Sequence, residues 1–256
     1  LPELSASVNL VRIGNFNASF GNIVGSNILN ILVILGLAAS IVPIAVARST
    51  VRIEIPFMIG VTALLFYQGR DGSISLADGG VLMVAFAAYM MYLYTMAMKS
   101  NVDSDLEEPG LPLGRCLLGA VGGLALIIAG SNVTVGAATS IATYAGLSER
   151  FIGLTIVALG TSLPELFTSV AAARRGNADI AIGNIVGSNI FNILFVVGLS
   201  SLIIDIPFAS AFNFDTYVAL GAAVLLLLCV LRTQRLQRWA GALMLVCYAA
   251  YLGYIL

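Results

Sequence analysis

Gly21-Asn-Ile-Val-Gly-Ser-Asn-Ile28 occurs twice in this chain, and the second copy, Gly183 to Ile190, is identical to the first. A second motif repeats with the same spacing, since Leu1-Pro-Glu-Leu4 returns as Leu163-Pro-Glu-Leu166, 162 positions later. About twenty of the 36 positions aligned at this offset are identical. Internal duplication explains this level of identity and chance does not, so we expect the two copies to fold alike.

The composition around these motifs is typical of a membrane protein. Hydrophobic residues make up 59% of the 256 residues, and charged residues make up only 10%. A helix needs about 20 apolar residues to cross a bilayer. Apolar segments of this kind predict crossings at 18–44, 51–68, 74–98, 115–143, 149–173, 178–203, 213–232 and 238–256. We therefore predict an all-α membrane protein, in which residues 1–12 end an earlier crossing.

The two copies are predicted to have opposite orientations in the membrane. Five crossings separate the segment that ends at Arg12 from the segment that contains Glu165, and an odd number reverses the direction of entry. We expect an inverted repeat with about five helices per half. The first repeat covers 1–98 and lacks part of its N-terminal end, 99–114 form a linker, and the second repeat covers 115–256. This arrangement places a shared site near the membrane midplane.

The distribution of basic residues predicts which side each loop occupies. If successive loops alternate sides, nine Lys and Arg residues fall on one side and three on the other. Cytoplasmic loops carry the excess of basic residues. The linker 99–114 is therefore expected in the cytoplasm and the C-terminus outside. Because this linker is too short to form a regulatory domain, we expect a simple prokaryotic-type protein that spans the plasma membrane.

Several classes of function are unlikely on composition alone. A net charge of −1 without a Lys/Arg cluster argues against nucleic acid as a partner. The chain has no histidine, which removes histidine metal sites and histidine-dependent catalytic triads. Its three cysteines lie in apolar segments without metal-ligand spacing, so they predict neither a disulfide framework nor a metal site. We expect no cofactor.

Glu165 is the central candidate for chemistry, because it lies in the middle of the apolar segment 151–173. Glu3 occupies the equivalent place in the first copy. A carboxylate at membrane depth costs several kcal/mol unless a cation or a proton accompanies it, and such residues are usually functional. Two facing carboxylates suit Ca²⁺, which prefers oxygen ligands, and Na⁺ ions or protons could replace it.

Other oxygen-bearing side chains share helix faces with these acids. Thr161 and Ser162 lie one turn before Glu165, and Pro164 is expected to free carbonyl groups between Ala158 and Thr161. In the glycine-rich motif, Ser26 and Asn30 are four residues apart, as are Ser188 and Asn192. Each pair forms a polar stripe that can coordinate ions. The remaining motif asparagines are expected to cap or bridge helices: Asn22, Asn27, Asn184 and Asn189.

On these residues the chain resembles the calcium/cation antiporter superfamily, in particular prokaryotic-type sodium/calcium exchangers. The second copy carries the complete signatures, in Gly160 to Glu165 and Gly183 to Asn192. The resemblance implies a ten-helix exchanger without a cofactor, in which 115–144 form a gating helix. It also implies a set of ion ligands: Glu3, Ser26, Asn30, Ala158 through its carbonyl, Thr161, Ser162, Glu165, Ser188 and Asn192.

The counter-ion and the class of transport stay open at this level. Exchange of Ca²⁺ for Na⁺ is the leading hypothesis, with H⁺/Ca²⁺ antiport as the alternative. Some related exchangers have Asp where this chain has Asn192, so potassium co-transport is in doubt. A passive cation channel is a further alternative. An intramembrane hydrolase that uses Ser162 and Glu165 lacks a histidine or lysine to complete its relay. The oligomeric state is not predicted.

Overall fold

A computed structural model of the chain describes residues 2–12, 14–99, 113–174 and 178–255. The α-helices are α1 (Pro2–Arg12), α2 (Phe16–Leu29), α3 (Gly36–Ile41), α4 (Ile55–Gln68), α5 (Leu76–Lys99), α6 (Leu113–Tyr144), α7 (Glu149–Ile152), α8 (Ala158–Thr161), α9 (Leu163–Arg174), α10 (Ala178–Phe191), α11 (Gly198–Ile203), α12 (Phe212–Val230) and α13 (Arg238–Ile255). A 3₁₀ turn covers Gly69–Asp71. The predicted linker lies outside the described residues for all but its ends, as does the connection after Arg174.

Wider π-helical turns join several of these helices. They are π1 (Asn30–Leu35), π2 (Thr50–Glu54), π3 (Gly153–Val157) and π4 (Asn192–Val197). π1 links α2 to α3, and π4 links α10 to α11, so each pair forms one continuous span. Short stretches of π-helix are rare and often occur at functional sites. Residue patterns alone did not predict them.

The described part of the chain contains six helical spans that are long and apolar enough to cross a membrane. They are Phe16–Ile41, Thr50–Asp71, Leu76–Met98, Ala181–Ile203, Phe212–Val230 and Arg238–Ile255. A further span is broken, because Arg150–Thr161 and Leu163–Arg174 meet at an angle of 48°. α6 has 32 residues, about 48 Å at 1.5 Å per residue, and covers the predicted crossing at 115–143. The predicted all-α membrane fold is confirmed.

The elements of the two copies correspond at the offset of 162 residues well beyond the sequence motifs. π1 begins at Asn30 and π4 at Asn192. Strand β1 (Ile44–Ala45) corresponds to β3 (Ile206–Pro207), and β2 (Ser73–Ile74) corresponds to β4 (Arg235–Leu236). The starts of α5 and α13 also differ by 162. On these matches we propose the division into repeats at 1–98 and 115–256.

The two halves are interlocked rather than side by side. β1 pairs antiparallel with β4, and β2 pairs antiparallel with β3, so each short ladder joins one half to the other. These ladders are the strand structure of the described chain, and the sequence patterns missed them because each strand has two residues. They satisfy backbone groups at the ends of the spans that would otherwise need water.

Glycines allow the last helix of each half to approach the other half closely. A Cβ atom on Gly241 of α13 would lie 2.6 Å from the carbonyl oxygen of Gly36. The repeat-related contact joins Gly79 of α5 to Gly198, whose carbonyl oxygen would lie 2.9 Å from a Cβ atom on Gly79. Small residues at such crossings permit close packing of membrane helices, where the surrounding lipid provides little hydrophobic driving force.

Candidate ion-binding site

The two repeated glutamates lie in the first turns of two short helices. Glu3 is in α1 and is 1% exposed, and Glu165 is half-buried in α9. α1 packs against π4 of the second copy, and α9 packs against π1 of the first. The two carboxylates interact electrostatically with each other. The structure therefore brings both predicted acids toward the same region, each against a π-helical turn of the opposite half.

A polar contact between α8 and α2 joins three predicted residues. The hydroxyl of Thr161 lies 3.3 Å from the hydroxyl of Ser26, and it lies 3.0 Å from the side-chain oxygen of Asn22, to which it donates. The amide of Asn22 donates in turn to the hydroxyl of Ser7. All four side chains are buried. The prediction that Asn22 bridges helices is confirmed, because it connects α8, α2 and α1.

The chain breaks at Ser162, as the proline two residues later predicts. Ser162 has φ −90° and ψ 3°, and its hydroxyl is buried. The carbonyl of Ala158 was expected to be freed by this break, but it accepts hydrogen bonds from the Ser162 amide at 3.0 Å and from the Thr161 hydroxyl at 3.2 Å. That expectation is wrong for Ala158, because the amide missing at Pro164 would bond to the carbonyl four residues earlier, at Gly160, and the hydrogen bond from Ser162 to Ala158 is kept. Its assignment as an ion ligand stays a prediction.

Asn30 and Asn192 are the first residues of the two matching π-helical turns, and both are buried. The amide of Asn30 donates to the side-chain oxygen of Asn189 at 2.9 Å, and the amide of Asn192 donates to that of Asn27 at 3.1 Å. Within the described chain, the side-chain oxygens of Asn30 and Asn192 have no hydrogen-bond partner. The predicted bridging role of Asn27 and Asn189 is confirmed.

The remaining predicted ligand, Ser188, lies on α10 with its hydroxyl within hydrogen-bonding reach of the Glu165 carboxylate. Among the described residues, the Oε2 atom of Glu165 and the hydroxyl of Ser162 are buried without a hydrogen-bond partner. Nearby Asn184 donates to Thr168 and Ser169 at 3.3 and 3.4 Å, so it also bridges helices as predicted.

This collection of atoms suits a hard cation that must be released again. Carboxylate, amide and hydroxyl oxygens are the ligands that Ca²⁺ and Na⁺ accept, and the chain has no histidine. Among the residues that the structure describes, no group of three Cys, Asp or Glu side chains could hold a metal ion. Two acids with neutral oxygens around them neutralise a divalent ion without an excess of negative charge that would retain it.

Comparison with known proteins decides the family. The profile described as "Sodium/calcium exchanger protein" matches residues 1–95 and 116–256. This chain belongs to the sodium/calcium exchanger family. CaxA of Alkalimonas amylolytica is 37% identical over 261 residues, which cover 98% of this exchanger and 82% of CaxA. The inner membrane protein YrbG of Escherichia coli strain K12 is 36% identical, over 95% of this exchanger and 78% of YrbG.

The fold of this exchanger also matches a solved structure. The sodium-calcium exchanger NCX_Mj, in crystals soaked with 2.5 mM Na⁺ and 1 mM Sr²⁺, superimposes with a TM-score of 0.80 at 31% identity. The match covers 99% of this exchanger and 82% of NCX_Mj. The predicted resemblance and the exchanger fold are confirmed. The chain is an integral, multi-pass membrane protein and a cation antiporter, and its family is one of transporters rather than enzymes.

Sequence reasoning missed one buried ionic cluster in this exchanger. Arg150, at the start of the predicted crossing 149–173, donates two hydrogen bonds of 2.9 Å to the fully buried carboxylate of Asp215. Tyr251 donates a third to the same carboxylate at 3.0 Å. The cluster joins α7, at the start of the broken span, to α12 and α13. A polar Asp-Thr pair within an apolar span was the available signal.

Proposed function

We propose that this exchanger moves Ca²⁺ in one direction and Na⁺ in the other by alternating access, through one oxygen cage shared by both halves. The cage contains the predicted ligands: Glu3, Ser26, Asn30, Ala158, Thr161, Ser162, Glu165, Ser188 and Asn192. Ca²⁺ takes six to eight oxygen ligands, so this set supplies enough without a resident cofactor.

One observation carries the proposal: several buried side-chain oxygens have no hydrogen-bond partner among the residues that the structure describes. They are the side-chain oxygens of Asn30 and Asn192, the Ser162 hydroxyl and Oε2 of Glu165, all buried and without a hydrogen-bond partner in the described chain. Each such group costs about 1–3 kcal/mol when nothing satisfies it. We infer that dehydrated cations bound among these oxygens satisfy them.

Competition for the cage couples the two fluxes. Ca²⁺ or a set of Na⁺ ions neutralises the carboxylates of Glu3 and Glu165, but both sets cannot occupy the same oxygens. A half that carries uncompensated charge is costly to expose to the membrane interior, so switching is favoured only when an ion is bound. Protons on the two acids would serve the same purpose, which is why the experiment below separates Na⁺ from H⁺.

The membrane and the orientation are part of the same proposal. YrbG is named as an inner membrane protein, which supports a prokaryotic plasma membrane for this exchanger. The excess of basic residues on one set of loops supports a cytoplasmic linker at 99–114 and a C-terminus outside.

The test is ⁴⁵Ca²⁺ uptake by proteoliposomes that contain the purified chain. Vesicles loaded with Na⁺ and diluted into choline should accumulate ⁴⁵Ca²⁺, whereas vesicles with an imposed proton gradient alone should not. Glu165→Gln should lower uptake at least about 100-fold, which corresponds to about 2.7 kcal/mol of lost ion stabilisation.

Glu54→Gln is the matched control. Glu54 is also a buried acid in a predicted span, but its carboxylate accepts a hydrogen bond from Thr50 and is not a proposed ligand. Uptake by this variant should stay close to that of the unaltered chain. If a proton gradient drove ⁴⁵Ca²⁺ uptake equally well, H⁺ rather than Na⁺ would be the counter-ion. Uptake that needs neither gradient and survives Glu165→Gln would overturn the antiport cage.

A further inference from the structure

Four buried asparagines form a hydrogen-bond network between the two halves, in which a reciprocal pair holds one further asparagine at each end. We call Asn27, Asn30, Asn189 and Asn192 the asparagine clasp. The amide of Asn27 donates to the backbone carbonyl of Asn189 at 3.3 Å, and the amide of Asn189 donates to the backbone carbonyl of Asn27 at 3.1 Å. The amide of Asn30 donates to the side-chain oxygen of Asn189, and the amide of Asn192 donates to that of Asn27. All four side chains are at most 5% exposed.

The asparagine clasp fixes which way each of its four side-chain amides faces. A backbone carbonyl only accepts, so the atom that Asn27 presents to Asn189 must be its nitrogen, and the reverse holds for Asn189. Their side-chain oxygens are then turned toward Asn192 and Asn30. An oxygen there requires a donor, so Asn192 and Asn30 must also present nitrogen.

These hydrogen bonds also determine where the side-chain oxygens of Asn30 and Asn192 point. Because the nitrogens of Asn30 and Asn192 are bonded to Asn189 and Asn27, their side-chain oxygens point away from these partners. These are two of the acceptor atoms that are buried without a hydrogen-bond partner among the described residues. In the reverse orientation each amide would present two N–H donors instead, which repel a cation.

We propose that Asn27 and Asn189 are positioning residues that hold Asn192 and Asn30 with their oxygens toward the transported cation. This inference rests on the proposed ion cage. The ligand is a hard cation, Ca²⁺ or Na⁺. Such cations bind the oxygen of a side-chain amide and not its nitrogen, so the orientation of the amide matters. Asn27 and Asn189 do not touch the ion; they act through the neighbouring asparagine.

The connection crosses between the repeats in both directions. Asn27 belongs to the first copy and orients Asn192 of the second, whereas Asn189 belongs to the second copy and orients Asn30 of the first. An ion ligand in each half thus depends on a motif asparagine in the other half. The repeated Ser-Asn-Ile-x-Asn pattern supplies both members of each pair, which explains why both asparagines are retained in both copies.

A carboxylate at position 192 provides the sharpest test, because its two oxygens are equivalent and need no orientation. The new carboxylate would also place an oxygen next to the side-chain oxygen of Asn27, and two acceptors repel each other. Removing that oxygen should therefore harm the chain with Asn192 and should not harm the chain with Asn192→Asp. If Asn27 had only a structural role, its removal would lower Ca²⁺ affinity both in the chain with Asn192 and in the Asn192→Asp variant.

The experiment measures equilibrium binding of ⁴⁵Ca²⁺ to the purified full chain in detergent, for Asn27→Ala, Asn192→Asp and the double variant. Asn27→Ala alone should weaken binding by about 10-fold or more, as for other groups that orient metal ligands. In the Asn192→Asp background, Asn27→Ala should leave affinity equal or improved. Asn213→Ala, at the start of α12 and away from the clasp, is the matched Asn-to-Ala control and should bind normally.

The equivalent variants in the other half are Asn189→Ala, Asn30→Asp and their combination, which serve if a variant of the first set does not fold. Asn189→Ala should weaken Ca²⁺ binding in the chain with Asn30 and should not weaken it in the Asn30→Asp background. Equal losses in both backgrounds would overturn the clasp while leaving the exchanger intact, provided that the unaltered chain binds Ca²⁺ and Glu165→Gln does not. Failure of the unaltered chain to bind Ca²⁺ would overturn the cage and the clasp together.

Discussion

The guanidinium group of Arg150 forms a bidentate pair with the carboxylate of Asp215, which is fully buried between α7, α12 and α13. The two residues of the pair differ in burial, because the Arg150 side chain is 30% exposed and that of Asp215 is 0% exposed. Arg150 also lies over the ring of Phe212, 5.8 Å from its centroid. The pair fixes the start of the broken span that carries Thr161, Ser162 and Glu165.

This asymmetry predicts that the two ends of the pair contribute differently to stability. Arg150→Met leaves a buried carboxylate without its cation and should cost about 3 kcal/mol in the free energy of unfolding, the lower end for a buried pair because Arg150 is partly exposed. Asp215→Asn leaves a cation that can reach water and should cost less. Thermal unfolding in detergent measures both, with a loss of about 6–12 °C expected for Arg150→Met.

Tyr251→Phe is the control for this pair, since it removes one hydrogen bond to Asp215 and leaves the charges paired. Its cost should be about 1–2 kcal/mol. An Arg150→Met variant no less stable than Tyr251→Phe would show that the ion pair does not hold the broken span.

A second prediction concerns the backbone contact between α2 and π3. A Cβ atom on Gly25 would lie 2.5 Å from the carbonyl oxygen of Leu154, and one on Gly153 would lie 2.7 Å from that of Ala18. Gly25→Ala must therefore displace π3, which leads directly into Ala158 and Thr161. We expect a loss of thermal stability together with weaker ⁴⁵Ca²⁺ uptake.

Gly60→Ala is the matched control for Gly25→Ala, because a Cβ atom on Gly60 meets nothing within 4 Å among the described residues. Alanine is favoured over glycine within a helix by up to about 1 kcal/mol, so this variant should be unchanged or slightly more stable. Normal uptake and stability in Gly25→Ala would contradict the close packing of α2 on π3.

A third prediction tests the interlocking of the halves. Ala45 of β1 lies opposite Arg235 of β4 in the antiparallel register, at a Cα separation of about 4.5–5.5 Å for such pairs, which suits a disulfide. Ala45→Cys with Arg235→Cys should therefore cross-link on mild oxidation.

The cross-link is read after cleavage at a protease site engineered into the linker 99–114. The two fragments should migrate together under non-reducing conditions and separately after reduction. Ala45→Cys with Thr233→Cys, two residues out of register, is the control and should cross-link poorly. Fragments that separate under both conditions would contradict the β1–β4 ladder.

The repeat made much of this architecture predictable from the sequence. An offset that aligns Glu3 with Glu165 also aligns the helices, the π-helical turns and the strands, because duplicated residues meet duplicated surroundings. The broken span was predictable from Pro164, whose missing amide hydrogen and ring are incompatible with a straight helix. The exchanger fold followed from these features and from the resemblance of the motifs.

What the sequence could not supply were contacts between distant residues. The pairing of Asn27 with Asn189 depends on how two helices cross, and no periodicity within one helix encodes that crossing. Arg150 and Asp215 are 65 residues apart, so no local sequence pattern indicates that they pair. The carbonyl of Ala158 was expected to be free, but proline removes only the hydrogen bond of its own amide, so the bond from Ser162 to Ala158 survives.

The last prediction separates the contribution of the Thr161 hydroxyl from that of the size of its side chain. Valine has nearly the same shape, so Thr161→Val removes the hydrogen bonds to Asn22 and Ser26 and one proposed ion ligand without opening a cavity. Thr155→Val makes the same change in π3, where the hydroxyl donates to the carbonyl of Phe151 one turn earlier in the same span. Because one oxygen ligand and its supporting network are lost only at 161, Ca²⁺ affinity should fall by about 10-fold or more there and stay unchanged at 155. The half-saturating Ca²⁺ concentration for uptake measures both, and equal effects at the two positions would remove Thr161 from the cage.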